Sequence, residues 1–229
     1  MEHTELFQTL HEYGVIPVIA IDSPELAIPL ADALIAGGLP VAEITFRTAA
    51  AAEVIATLKK ARPEIILGAG TVLTVENLRL AKECGAQFGV APGLNPEIVG
   101  EARRLNLPFI PGVLTPSEIE RAIGLGAKVL KFFPAEESGG PAMLRALAGP
   151  YRHTGIQFMP TGGINAKNLE SYLKLDIVLM VGGTWLASRE AIAAREWDTI
   201  QANCRQAREI VAKIRSRKYT NHSGGLNAQ

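Results

Sequence analysis

Cysteine, histidine and net charge are all scarce in this chain of 229 residues, and each scarcity removes a class of function. Cys84 and Cys204 stand far apart with no C-x-x-C pair, which gives neither a disulfide framework nor a zinc knuckle and fits a reducing compartment. The four histidines, His3, His11, His153 and His222, have no metal-ligand spacing and no H-E-x-x-H, so no metal site is expected. Lysine plus arginine number 23, and so do aspartate plus glutamate. Without a field of one sign, nucleic acid and anionic membrane surfaces are not expected partners, whereas a small molecule is. No apolar run reaches the ~18 residues of a membrane span, and the opening MEHTELFQTLHEYG lacks the basic, apolar and small-residue order of a leader. A soluble, cytoplasmic protein is the expectation. No G-x-S-x-G elbow occurs, and Gly124-Leu125-Gly126-Ala127-Lys128 lacks nucleotide-loop spacing and reads as a helix stop.

What is present is a regular alternation of short apolar runs with longer segments of helical period, the pattern of a parallel sheet covered by helices. The runs fall at 14–21, 41–46, 64–70, 86–91, 108–112, 127–133, 156–161 and 176–183. Helix starts are marked by Ser23-Pro24-Glu25, Asn95-Pro96-Glu97 and Thr115-Pro116-Ser117-Glu118, each a capping side chain followed by proline where its missing N–H does no harm. Thr115 and Glu118 also have capping-box spacing. Stops fall at Gly37-Gly38, Arg62-Pro63, Gly85, Leu107-Pro108 and Gly124. Eight strand–helix rounds with no linker predict a single closed (β/α)₈ TIM barrel over 1–216. Residues 1–13 would form a preceding helix or arm, 195–216 a final amphipathic helix, and the polar, glycine-rich end of 217–229 a disordered tail. An open doubly wound sheet is the alternative, but its glycine-rich first turn is missing from Ile21-Asp22-Ser23-Pro24.

Working groups in such a barrel sit at the C-terminal ends of strands. The sixth run, AKVLKFFP, sets Lys131 among apolar residues. An amine there loses its proton more readily than in water, and a neutral amine attacks carbonyls. Taken alone, Lys131 reads first as an ammonium at a strand end that snorkels into solvent, and its sequence context reverses that reading. Along the second run the period of two puts Glu43, Thr45 and Arg47 on one face, and if that face lines the barrel they converge on Lys131. An acid, an amine and a guanidinium in an apolar interior either neutralise one another, as a register-fixing ion pair, or serve a substrate. Thr161-Gly162-Gly163-Ile164 and Gly182-Gly183-Thr184 end the seventh and eighth runs, where this fold commonly binds phosphate through backbone N–H groups. These residues allow an imine-forming lyase, a phosphate-binding isomerase using Glu43 as base, or a non-catalytic sugar-phosphate sensor.

The segments EITFRT (43–48), GAGTVL (68–73), KFFPAE (131–136), PTGGI (160–164) and GGTWL (182–186) together resemble the 2-keto-3-deoxy-6-phosphogluconate (KDPG) aldolases, over residues ~10–215. The resemblance implies Lys131 as the Schiff-base lysine, Glu43 as general acid/base, and Arg47 with Thr71 as binders of the pyruvyl carboxylate. It further implies Pro92, Phe133 and Thr161 as pocket-shaping residues. Gly162, Gly163, Gly182, Gly183 and Thr184 would bind phosphate, Thr184 replacing a serine common there. It implies cleavage of KDPG to pyruvate and glyceraldehyde 3-phosphate, cleavage of 4-hydroxy-2-oxoglutarate to pyruvate and glyoxylate, no cofactor, and a homotrimer. Preference for hydroxyoxoglutarate or for the galactonate epimer stays open, although Arg47 favours the gluconate type.

Overall fold

Runs that are apolar on both faces bury completely only between helices, and parallel strands with helical crossovers meet that demand. The computed structural model describes the backbone of residues 3–223 and the side chains of residues 3–216. Helix α1 (His3–Tyr13) leads into β1 (Val15–Ile19), α2 (Ala27–Ala36), β2 (Val41–Thr45), α3 (Ala51–Ala61) and β3 (Ile66–Gly70). Next come α4 (Val75–Glu83), β4 (Phe88–Val90), α5 (Pro96–Arg104), β5 (Phe109–Ile110), β6 (Gly112–Val113) and α6 (Pro116–Gly124). The chain ends with β7 (Val129–Phe132), α7 (Gly140–Ala148), β8 (Gln157–Pro160), α8 (Leu169–Leu173), β9 (Val181–Gly183), α9 (Arg189–Ala193) and α10 (Trp197–Ser223).

Every strand pairing is parallel, in one sheet ordered β5-β4-β3-β2-β1-β9 and another ordered β6-β7-β8. The single strand expected over 108–112 is therefore two. Pro111 has no N–H for a ladder, so β5 pairs with β4 while β6 pairs with β7. At the other margin, Thr161 bridges Gly182 and Phe158 bridges Val178. The described residues thus form an α/β fold of two curled parallel sheets that approach at both margins, in place of the one unbroken ring of eight strands expected from the sequence.

Local signals act as their chemistry dictates. The Asn95 side chain accepts the Glu97 N–H at 2.9 Å. Thr115 and Glu118 close a capping box, with Glu118 Oε2 also accepting the Leu114 N–H at 2.8 Å. Ser23 departs from expectation: it precedes a 3₁₀ turn, Pro24–Leu26, and caps no backbone N–H, and α2 begins at Ala27. The last helix runs past residue 216 to Ser223, so the first part of the expected tail is helical, and 224–229 lie outside the described residues. A continuous core joins strand interiors to helix faces, including Leu6 and Leu10 of α1 and Cys204 and Val211 of α10. Among the described residues no helix is long and apolar enough to cross a membrane.

Candidate active site

Glu43 on β2 and Lys131 on β7 belong to different sheets, yet Lys131 Nζ lies 3.6 Å from Glu43 Oε1. The curl of the sheets brings them to a common interior, where Glu43 is 0% and Lys131 5% exposed. Room for the carboxylate comes from Gly70, at the end of β3. A Cβ there would stand 2.8 Å from Glu43 Cγ and closer still to Oε1. Lys131 Nζ also lies 5.3 Å from the Phe133 ring centroid, an attractive position for an ammonium.

Both Glu43 carboxylate oxygens, and Thr161 Oγ1, are buried without a hydrogen-bond partner. Leaving a buried polar group unsatisfied costs about 1–3 kcal/mol, more for a charge, so a purely structural ion pair would be expected to acquire further donors. The carboxylate therefore keeps acceptor capacity that no donor of the described residues fills. Beside it, Arg47 Nε donates to Thr45 Oγ1 at 3.2 Å, and the Thr45 hydroxyl donates to Ile19 O at 2.8 Å. The Thr48 hydroxyl donates to Ile21 O at 2.7 Å, so two threonines fasten the β2 end to the β1 end and aim the arginine. Arg47 lines a cavity of ≈ 370 Å³ with Val18, Ala20, Thr184, Trp185 and Ser188. A larger cavity of ≈ 450 Å³ adjoins α1 and the N-terminal ends of β7 and β8; neither cavity is lined by Glu43 or Lys131, and only the smaller one is lined by residues that follow strand C-terminal ends, Arg47 and Thr184.

The other strand ends follow the same plan. Thr71 has φ 54°, a left-handed conformation that a β-branched residue adopts at a cost of about 1–3 kcal/mol and that clusters at functional sites. Pro92 lies against Gly112, where a side chain would strike its backbone, and Gly112 N–H donates to Gly93 O at 3.1 Å. Phe133 precedes a cis Pro134. Gly162 and Gly163, at φ 107° and 71°, form a true turn after β8. Gly182 and Gly183 lie within β9 itself: the first leaves space for the Thr161 side chain, the second for the Trp185 ring. Thr184 follows, exposed at the cavity rim.

Residues 6–203 match the family described as KDPG and KHG aldolase. The chain belongs to this family. It is 45% identical, over 90% of its own length and 97% of the relative's, to the 2-dehydro-3-deoxy-phosphogluconate aldolase of Haemophilus influenzae. It is 44% identical to the KHG/KDPG aldolase of Escherichia coli, with 85% and 91% covered. The KDPG aldolase of Legionella pneumophila, solved with pyruvate captured as a covalent carbinolamine intermediate, superposes with a TM-score of 0.84 at 40% identity, covering 88% of this chain and 97% of that one.

The KDPG and KHG aldolase motifs thus mark strand ends that the fold gathers at one end of the sheets. Sequence reasoning missed several supports of that site. Gly70 reads in the sequence only as the end of the third apolar run, and its role as space for Glu43 shows only across the β2–β3 register of Thr45 with Gly70. Trp185 carries a buried Nε1 with no partner, beside the arginine cavity. Tyr172 of α8 donates from its hydroxyl to Glu136 Oε1, behind the Gly162-Gly163 turn. Burial first, and Glu136 second, push the Tyr172 phenol far above its ordinary range. At the mouth, Arg189 grips Asp22 with two bonds of 2.6 and 2.7 Å, and these hold the Asp22 carboxyl below the usual range.

Proposed function

We propose that this chain is a class I aldolase that cleaves KDPG to pyruvate and glyceraldehyde 3-phosphate, and 4-hydroxy-2-oxoglutarate to pyruvate and glyoxylate. The carrying observation is the buried Lys131–Glu43 pair, 3.6 Å apart, with no donor satisfying the carboxylate. In this reading the neutral Lys131 amine attacks the C2 carbonyl of the 2-oxo acid and forms a carbinolamine. Glu43 delivers a proton to the departing hydroxyl, and loss of water leaves an iminium. Glu43, again a carboxylate, takes the proton of the C4 hydroxyl. The C3–C4 bond breaks, its electron pair flows into the iminium to give an enamine, and the aldehyde departs. Protonation at C3 and hydrolysis of the iminium release pyruvate and restore the amine. Lys131 and Glu43 supply both electron sink and proton transfer, and the scheme calls for no cofactor.

Arg47 and Thr71 hold the pyruvyl carboxylate in this scheme, the guanidinium offering a fork that lysine could not. Pro92, Phe133 and Thr161 bound the reacting carbons. The phosphate takes the Gly162-Gly163 turn, with Thr184 offering its hydroxyl just after β9, the strand that Gly182 and Gly183 bring close. The same reading carries a single closed (β/α)₈ domain over 1–216; the chain running through Pro111 from β5 of one sheet into β6 of the other and the bridge of Thr161 to Gly182 support it. It carries too the homotrimer and cytoplasmic setting that the family resemblance implies.

Incubation with pyruvate and borohydride, followed by peptide mass analysis, tests the reading. A reduced pyruvyl adduct on Lys131, absent from folded Lys131→Ala protein, is the expected result. Folded protein that takes no adduct would make Lys131 a fixed cation and favour a phosphate-binding isomerase.

A further inference from the structure

Glu136 brings an acid against the turn that the proposed function gives to a phosphate. Its side-chain stem lies on Gly163, where a Cβ would come 2.6 Å from Glu136 Cβ and 2.7 Å from Cγ. Its backbone N–H donates to Gly162 O at 3.2 Å, and Ala135 N–H donates to Thr161 O at 2.8 Å. From the other side, Asn168 Nδ2 donates to Gly163 O at 3.2 Å. The turn is thus fixed through its carbonyls, while the Gly162 and Gly163 N–H groups have no protein acceptor among the described residues. Such paired N–H groups bind any anion of suitable size, a carboxylate as well as a phosphate. A carboxylate on a stem already touching the turn would reach those groups at high effective concentration and compete with the substrate. The Glu136 carboxylate is instead held by the hydroxyl of Tyr172, which is 0% exposed and anchored in α8.

We propose that Tyr172 is a positioning residue for substrate specificity: its hydroxyl holds the Glu136 carboxylate off the N–H groups of the Gly162-Gly163 turn and so keeps the turn open to a substrate's phosphate. This rests on the function proposed above and adds what sets the preference between phosphorylated and unphosphorylated 2-oxo acids. Tyr172→Phe keeps the ring that fills the core and removes only the tether.

The test is steady-state kinetics of the full chain on KDPG and on 4-hydroxy-2-oxoglutarate, which carries no phosphate. Tyr172→Phe is expected to raise KM for KDPG about ten-fold, the scale of one competing charge-assisted contact, with kcat on both substrates and KM for 4-hydroxy-2-oxoglutarate unchanged. Adding Glu136→Gln should restore KM for KDPG. Adding Glu137→Gln should not, although Glu137 Oε1 lies 3.4 Å from the same Gly163 point. An unchanged KM, an equal rise on both substrates, or rescue by Glu137→Gln but not by Glu136→Gln would overturn the inference. Should Tyr172→Phe fail to fold, Tyr172→Met removes the same hydroxyl with an apolar side chain that adapts to the core. It is expected to raise KM for KDPG in the same way and to be rescued by Glu136→Gln, and an unchanged KM or no rescue overturns the inference. Wild-type chain that cleaves neither substrate overturns the functional reading and this inference together, whereas active wild type with kinetically silent variants overturns the inference alone.

Discussion

Glu43 is the residue on which rate should turn, because proton transfer at both the carbinolamine and the C4 hydroxyl passes through its carboxylate in the proposed scheme. Glu43→Gln fills the same space beside Gly70 and keeps the fold, yet can accept no proton. Its kcat on KDPG should fall by ~10²–10⁴, the usual scale of general acid–base catalysis, with an unaltered circular dichroism spectrum. A kcat within a few-fold of wild type would remove Glu43 from that role. Both partners were legible in the sequence for a simple reason: a charge in an apolar run announces itself, and the strand period of two fixes which neighbours share its face. The Tyr172–Glu136 contact was not legible. Glu136 stands in the KFFPAE segment and Tyr172 in an ordinary helical period, and only the packing of α8 behind the post-β8 turn joins them.

At the scale of elements, α4 and α5 are joined by one acid between two arginines. Glu101 on α5 takes Arg104 at 2.7 Å and Arg79 of α4 at 2.6 Å. Their hydrogen bonds, Arg104's first, draw its carboxyl from 4.5 down to about 2. Because the folded-state value is the lower one, the stabilisation is complete where the unfolded chain is also ionised, above 4.5, and is lost as pH falls towards 2. Urea midpoints of wild type and Glu101→Gln should therefore differ at about pH 6 and converge by about pH 2. A gap that persists in acid would show that the contact acts by packing instead of charge. Element type was readable from the sequence, with α5 and α6 starting where Asn95 and Thr115 predict. The break at Pro111 was not, since 108–112 is a uniform apolar run. What divides it is a missing N–H, which matters only once partners on both sides are known.

For the whole molecule, Cys204 reports whether α10 stays docked. Its thiol is 0% exposed and burial pushes it up to about 12, whereas Cys84 is half-buried with a smaller rise from burial and then Glu83. Iodoacetamide at about pH 8 should modify Cys84 first and reach Cys204 only along the global unfolding transition, as followed by peptide mass across a denaturant series. Equal rates in folded protein would mean that α10 lifts away locally. The α/β class and the parallel pairing were legible because eight apolar runs alternate with helical periods. The margins where the two sheets meet were not, since they rest on isolated bridges and a proline that leave no periodic trace. In the proposed scheme Glu43 and Lys131 act together from β2 and β7, strands that share no hydrogen bond, so turnover would double as a clock for assembly. On that scheme a growing chain would acquire its chemistry only once β7, in its later half, has been brought against β2 in its earlier half, and the first molecule of product would date that meeting.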